Sequence, residues 1–529
     1  MGGEQSSARY SPCGLRSKNH EQTPEPCDVI AIVKSCRKDK FRGLIQALVY
    51  SDGNVNTTGE HGMTALHYAV LNEDELIIKT LVVFGAHCNA RNDFKQTPLD
   101  MAIENRKDNV VPLLVSVGCK QGCVVESPSS SSLYYGISPE EEVDIPCNDS
   151  NPVDDGLKRA KHVLSDQIED HMRSRLIGST SIRPDEAYVY LLQQRELQMF
   201  KTDNGERCAT PFDHDVTPPP MEFASQGGAR ILSLDGGGMR GLIQLEILFE
   251  IEKMTGKRIV ELFDWIIGNS IGGIMALGLV YADMTIPQLR RMYFRLKDKV
   301  FSSKKGFGGY NTKVLEELLQ EVLGTEQRMC DRRHPKVLIT AVDKSNTPMN
   351  IHYFNNCFDD QFSTQPVWKV ARYSSAAPLY FSELDNYVDG GVMANNPCDG
   401  GLAKIQSFYQ AKNQRMPISC MVSVGSGLFP PSRLGKISIF GGVQNLFRML
   451  SDALGQSEAI ADRCKTSCEA QGIPFYRFSP PLDEKIEPTE TDSRKLVDIM
   501  ILSRMYMHGM EDYKSDRLLP LLLQITGTA

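Results

Sequence analysis

The sequence holds fourteen cysteines, yet no two of them stand in the C-x-x-C spacing of redox or zinc sites. Scattered thiols behind no recognisable secretory leader predict reduced cysteines and a cytoplasmic chain. Positive charge is not in excess either. The 58 Lys and Arg against 66 Asp and Glu leave a net charge of −8, which argues against a nucleic-acid partner. No acidic loop of the D-x-D-x-D-G type occurs, so no calcium or other metal is expected, and no cofactor. Long apolar runs are also missing. Trp265 to Ala282 carries no charged residue, and its length of about 18 positions sits at the lower limit for a membrane-spanning helix. Asn269, Ser270 and several glycines interrupt it, so it reads as a strand, a tight turn and a buried helix.

At 529 residues the chain is too long for one ordinary core, and it divides by pattern. "GMTALHYAV" (Gly62 to Val70) and "KQTPLDMAI" (Lys95 to Ile103) align Thr64 with Thr97, and "GNVN" at Gly53 stands one such step before "AHCN" at Ala86. The T-x-L-H-x-A pattern and its step of about 33 residues mark ankyrin repeats. Two repeats are clear, and Val29 to Asn56 reads as a degenerate first one. His67 is expected to stabilise a turn. The predicted organisation is a tail over 1–28, ankyrin repeats over 29–122, a linker rich in Ser, Pro and acidic residues over 123–229, and a larger domain over 230–529. Within the linker, Pro184 to Phe200 is mildly helical. In the larger domain, apolar runs at Ile231–Leu234, Trp265–Ile267, Val337–Val342 and Met421–Val424 alternate with helical patterns, which predicts an α/β fold with a mainly parallel sheet.

Three glycine-bearing motifs lie in that domain. "ILSLDGGGMRG" (Ile231 to Gly241) follows a strand and opens a helix expected over Leu242 to Met254. A dinucleotide loop has that form but needs an acidic residue ending the next strand. Glu261 is near the right spacing and precedes an apolar strand instead, which disfavours the nucleotide reading. The alternative is an oxyanion cradle, with main-chain N–H groups at a helix N-terminus facing a developing negative charge. Its candidates are Gly236, Gly237, Gly238, Met239, Arg240 and Gly241. Arg240 has three readings: holding an anionic head group, supporting the loop, or an ordinary surface charge. Next, "GNSIG" matches the nucleophile elbow G-x-S-x-G, with Gly268 and Gly272 flanking Ser270. A serine nucleophile needs a base. Only His334, His352 and His508 lie in this domain, and His508 alone fits the chain order of a Ser–Asp–His triad. The other candidate base is Asp389, at a strand end before Gly390 and Gly391 in "YVDGGVMANNP".

The order G-G-G-x-R-G, G-x-S-x-G, D-G-G resembles the patatin family of lipid acyl hydrolases, and "ARYSSAAPLYF" (Ala371 to Phe381) strengthens the likeness. With ankyrin repeats in front, the chain is similar to the group VI calcium-independent phospholipases A₂. The resemblance covers nearly all of Arg230 to Leu523 and, less well, Val29 to Cys119. It implies a three-layer α/β/α domain, a Ser270–Asp389 dyad without histidine, an oxyanion hole in the Gly236–Gly241 loop, and a homo-oligomer. The family's ankyrin array is usually longer than the one here. Two other readings compete with a hydrolase: an ankyrin adaptor carrying an inactive lipase-like domain, which the three catalytic motifs disfavour and an activity assay decides, and an acyltransferase, which product analysis separates.

Such an enzyme must reach a phospholipid membrane surface, so the expected location is the cytoplasm with peripheral membrane association. "KDKVFSSKKGFGGY" (Lys297 to Tyr310) and "GLFPPSRLGKISIFGGVQNLF" (Gly427 to Phe447) mix basic and apolar residues and are candidate head-group contacts. Met1-Gly2-Gly3-Glu4-Gln5-Ser6 fits N-myristoylation at Gly2, and Cys13 is a second acylation candidate. One myristoyl chain gives only marginal membrane binding, on the order of 10⁴ M⁻¹. The ankyrin repeats predict a protein partner that the sequence does not name.

Overall fold

The structure, a computed structural model, describes residues 28–122 and 228–509 apart from 36, 52, 303–308, 359, 379, 413–416 and 429–456, together with Leu518 and Leu522. The acylation candidates Gly2 and Cys13, the linker, and most of Gly427 to Phe447 lie outside the described residues.

Three helix pairs open the chain: α1 (Val29–Lys34) with α2 (Lys40–Tyr50), α3 (Ala65–Leu71) with α4 (Glu75–Val83), and α5 (Pro98–Glu104) with α6 (Val111–Ser116). Their starts are written in the sequence. Thr64 and Thr97 each cap a helix in a capping box, one with His67 and the other with Asp100. His67 is fully buried. Its Nδ1 lies 2.8 Å from Thr64 Oγ1 and its Nε2 3.1 Å from the Gln96 carbonyl, so it ties one repeat to the next.

The second unit is built on a seven-stranded sheet. Its strands are β1 (Ala229–Leu234), β2 (Trp265–Asn269), β3 (Lys336–Asp343), β4 (Asn350–Asn355), β5 (Tyr387–Asp389), β6 (Ile418–Val424) and β7 (Phe475–Phe478). The order is β4-β3-β2-β1-β6-β7, with β5 also paired to β3. The four pairings β1–β2, β1–β6, β2–β3 and β6–β7 are parallel, while β4 and β5 run antiparallel to β3. The predicted strands are all present. β1 and β3 extend past the apolar runs, and Arg230 is tolerated in β1 because Asp264 pairs with it at 3.2 Å.

Strand alternation separates two cores. Ile231, Trp265, Ile267, Leu338 and Met421 pack beneath α13 (Cys398–Ala411) and α14 (Ser457–Glu469). Leu232, Leu234, Ile266, Val337, Ile339, Val422 and Val424 face the opposite way. That side carries α7 (Gly241–Thr255), α9 (Ile271–Val280), α10 (Ile286–Leu296), α12 (Val367–Ser374) and α15 (Ser493–Gly509). Helices therefore cover both faces of a mostly parallel sheet, as strands buried on both sides require. The short α8 (Ile259–Leu262) and the longer α11 (Thr312–Leu323) complete the series. α9 is buried all round, but ten residues span only about 15 Å, half a bilayer's hydrocarbon thickness. Among the described residues no helix is long and apolar enough to cross a membrane.

The second helices of the repeats rest on this unit. Arg504 of α15 donates to the Val82 carbonyl at 2.7 Å, and Lys79 of α4 reaches Asp498 at 3.2 Å. The Arg504 guanidinium also meets buried Glu246 at 2.7 Å and Glu250 at 3.3 Å, and Glu246 in turn holds Arg290. One apolar core runs through both units.

Candidate active site

The glycine loop leaves the end of β1, the central strand from which β2 lies on one side and β6 on the other. Ligands of open α/β sheets bind at this switch point, outside the carboxyl ends of the strands. Asp235, at the join, is 1% exposed. Both its oxygens take hydrogen bonds from Arg477, at 3.0 and 2.8 Å. Burial pushes its carboxyl up to about 6, against the pull of Arg477. Its work is to anchor the loop.

Within the loop the amides divide. Gly236 N–H donates to the Asn395 carbonyl at 3.0 Å, Met239 to Pro488 at 2.8 Å and Arg240 to Gly237 at 3.3 Å. The amides of Gly237 and Gly238 have no acceptor among the described residues, and both residues line a pocket. Gly238 has φ +59°, and a side chain there would run into Pro488. Gly241 opens α7. Arg240 is 2% exposed, which overturns its reading as a surface charge. Burial pulls its guanidinium down to about 10, opposed by Glu487, Tyr380 and Asp235.

Ser270 stands between β2 and α9 at φ 51° and ψ −121°, a strained conformation for a residue with a side chain. The flanking glycines permit it. A Cβ on Gly272 would stand 2.6 Å from the Leu234 and Asp235 carbonyls, and one on Gly268 would stand 2.6 Å from the Gly272 carbonyl. The elbow therefore presses directly on the end of β1. Ser374 Oγ accepts the Ser270 N–H at 2.8 Å and fixes the turn.

Sheet register brings the carboxylate to the serine. Asn269 pairs with Thr340 across β2 and β3, and Asp389 pairs with Ala341 across β3 and β5. Asp389 is 5% exposed and accepts the Gly391 N–H at 2.7 Å; the Ser270 hydroxyl and the Asn269 amide are the other donors near enough to favour its charged form. Burial pushes its carboxyl up to about 6, and these three donors limit the rise. Asn269 is itself set by Thr340, whose hydroxyl donates to its side-chain oxygen at 2.7 Å. Gly390 and Gly391 turn the chain over this cluster; a Cβ on Gly390 would meet Thr340 Oγ1 at 2.7 Å.

Ser270 and Asp389 open into a pocket of about 920 Å³ that includes its open mouth. Its walls are Ile271 and Ile274 of α9, Leu296 of α10, Leu315 of α11, and Phe301, Tyr380, Phe381, Val392 and Pro488. None of the three histidines lines it. His508 pairs with Glu250 at 3.5 Å, His352 Nδ1 lies 3.1 Å from the Tyr387 hydroxyl, and His334 is exposed. Glu261 caps α8, donating nothing to a nucleotide site. Phe301 and Tyr310 are 8% and 9% exposed and stack edge-on at 5.0 Å. They belong to the core and the pocket, so these two aromatics are not head-group contacts; residues 303–308, with Lys304, Lys305 and Phe307, lie outside the described residues.

Residues 232–402 match the family model of the patatin-like phospholipases, and residues 33–124 match that of ankyrin repeats in three copies. The chain carries a patatin-like phospholipase domain behind ankyrin repeats. The chain is 31% identical over 330 residues to the 85/88 kDa calcium-independent phospholipase A2 of Rattus norvegicus, covering 55% of this chain and 40% of that protein. The intracellular phospholipase A2 of Caenorhabditis elegans is 25% identical over 507 residues, covering 90% of this chain and 43% of its own length. The human calcium-independent phospholipase A2-gamma is 26% identical over 54% of this chain and 39% of its own. The chain thus spans about two fifths of the length of these relatives. In the patatin-like domain, sequence reasoning missed Asn269, Thr340, Ser374, Asn395 and Arg477. Asn269 lies between elbow glycine and serine, Ser374 in "ARYSSAAPLYF" and Asn395 in "YVDGGVMANNP", so each had a local signal; Thr340 and Arg477 come from strands distant in sequence.

Proposed function

We propose that this chain hydrolyses acyl esters of glycerophospholipids without calcium, as a phospholipase A₂ working through Ser270 and Asp389. The carrying observation is that Ser270, on a strained elbow, and the buried carboxyl of Asp389, which feels it, line one apolar pocket. Ser270 Oγ attacks the ester carbonyl carbon and its proton passes to Asp389. The amides of Gly237 and Gly238 face the oxyanion, each such donor worth roughly 10²–10³-fold in rate. The intermediate collapses, the ester C–O bond breaks, and the departing alkoxide takes the proton from Asp389 to leave as lysophospholipid. Water then attacks the acyl-enzyme, its proton going to Asp389, and the fatty acid departs as Ser270 regains its hydrogen.

The substrate class is supported by the lining: one polar end holding nucleophile and base, and walls of aliphatic and aromatic side chains suited to a hydrocarbon tail. Peripheral attachment to a phospholipid surface follows from that substrate. Met393, 47% exposed, follows pocket residue Val392 and is a candidate contact with the bilayer. The repeats are a surface for a protein partner, on the side not resting on the patatin-like domain. The test is fatty-acid release from position-labelled phospholipid vesicles containing EGTA. Wild type is expected to be active and Ser270→Ala inactive. Equal release by both refutes the assignment, and transfer of the label to a lysophospholipid acceptor instead of water marks an acyltransferase.

A further inference from the structure

The stretch from Phe294 to Phe301 has two sides. It comprises the end of α10 and a π-turn, Lys297–Phe301. On one side Leu296 and Phe301 wall the pocket. On the other, the ankyrin repeats hold it. The hydroxyl of Tyr50, the last residue of α2, donates to Asp298 Oδ2 at 2.7 Å. Arg295 lies over the Tyr50 ring at 5.9 Å and donates to the Val49 carbonyl at 3.4 Å. Phe84, which ends α4, rests against Phe294 with ring centroids 5.3 Å apart.

The π-turn is the weak point of this stretch. Turns of i→i+5 bonds are rare in helices and recur at functional sites, and this one is held from outside. Asp298 is the residue through which that support arrives, paired with Tyr50 on the ankyrin side and with Lys297 in the turn. Burial and Asp298 together hold the Tyr50 hydroxyl above the ordinary tyrosine range, so it stays a donor at any working pH. We propose that Tyr50 is a positioning residue for the acyl pocket, holding the π-turn through Asp298 so that Phe301 and Leu296 set how long a fatty-acyl tail the pocket takes. This rests on the reading of the pocket as an acyl site. It makes the ankyrin repeats part of the enzyme's chain-length selection, because whatever shifts α2 against α10 shifts the pocket wall.

The experiment uses the full chain and two phospholipids of one head group, with short and long acyl chains. Tyr50→Phe removes one oxygen and keeps the ring over which Arg295 lies. It is expected to change the long-to-short ratio of kcat/KM by about five-fold, the low end of coupling between linked sites. A merely structural role would lower both rates alike and leave the ratio. Phe301→Ala is expected to change the ratio by itself, and in that background Tyr50→Phe is expected to add nothing. Binding of short and long fatty acids to the Ser270→Ala protein reads the same preference without chemistry, and Tyr50→Phe should shift it by the same factor. An unchanged ratio in Tyr50→Phe, or full additivity with Phe301→Ala, overturns the proposal. If no phospholipid is hydrolysed, the hydrolase reading falls alone while the fatty-acid binding ratio still decides for or against Tyr50.

Discussion

The carboxyl of Asp389 is pushed by burial to about 6, and it must be ionised to take the proton of Ser270. Two consequences have opposite signs. For activity, a base with a pKa near 6 is about nine-tenths ionised at pH 7 and about one-tenth at pH 5, so kcat/KM should fall about ten-fold between them. An ordinary aspartate, at about 3.9, would lose less than roughly a tenth over that interval. For stability, the folded-state pKa lies above the unfolded one, so the folded protein holds the proton more tightly. The favourable contribution is complete below about pH 4 and is lost as pH rises through about 6. Holding the proton up to about pH 6 instead of about pH 4 is worth about 3 kcal/mol over the full range, and roughly 1 kcal/mol of it falls between pH 5 and pH 7. Asp389→Asn cannot titrate. Denaturant midpoints of both proteins across this range should therefore diverge, wild type losing ground to the variant as pH rises, while the variant releases no fatty acid. The comparison separates Asp389 from Asp235, which burial also pushes to about 6 and which both proteins share. A flat kcat/KM from pH 7 to pH 5, using a zwitterionic phospholipid, refutes the argument; so do parallel stability curves.

Other perturbations give equally definite outcomes. Asn269→Ala removes an amide that favours the charged form of Asp389, so the acid limb of the rate profile should move above pH 6; an unmoved limb contradicts that role. Gly272→Ala lies inside a helix, where alanine is otherwise favoured by about 1 kcal/mol. Its Cβ meets two carbonyls at 2.6 Å, and overpacking of about 1–3 kcal/mol should reverse the sign and lower the melting temperature; a stabilised variant would show that β1 gives way freely. Arg504→Met leaves Glu246 with Arg290 alone and takes one partner from Glu250, so a loss of up to about 3 kcal/mol in urea unfolding is expected. Fatty-acid release should be the same with EGTA as with added calcium.

A single physical theme joins the docking of the repeats to the chemistry. Glu246 and Arg290 are fully buried, and Arg504 nearly so. Buried charges persist only when their hydrogen-bonding capacity is met, and part of it is met by the Val82 carbonyl at the end of α4. The patatin-like domain thus relies on the repeats to complete its own interior, on the same helices, α7 and α10, that follow the glycine loop and wall the pocket. A shift of the repeats costs polar satisfaction as well as apolar contact, which gives such a shift a reason to be all-or-none.

What the sequence made legible follows from range. Motifs whose constraint is local were readable: a positive φ at Ser270 demands glycines two residues away, the ankyrin turn demands its threonine cap, and an uncharged run broken by Asn269 and Ser270 had to be strand, turn and helix. The strands were readable because burial on both faces forces continuous apolar runs. Constraints that close across the fold were not. Nothing in "YRFSPP" marks Arg477 as the partner of Asp235, since the pairing depends on β7 lying beside β6. Aromatics beside lysines in "KDKVFSSKKGFGGY" have the composition of a membrane contact. Phe301 and Tyr310 are buried nonetheless, because the π-turn lies against the pocket, and composition carries no information about which side of a turn faces inward. Arg240 is of the same kind: of its three readings the surface charge fails, and the groups of Glu487 and Tyr380 that act on it lie more than a hundred residues away.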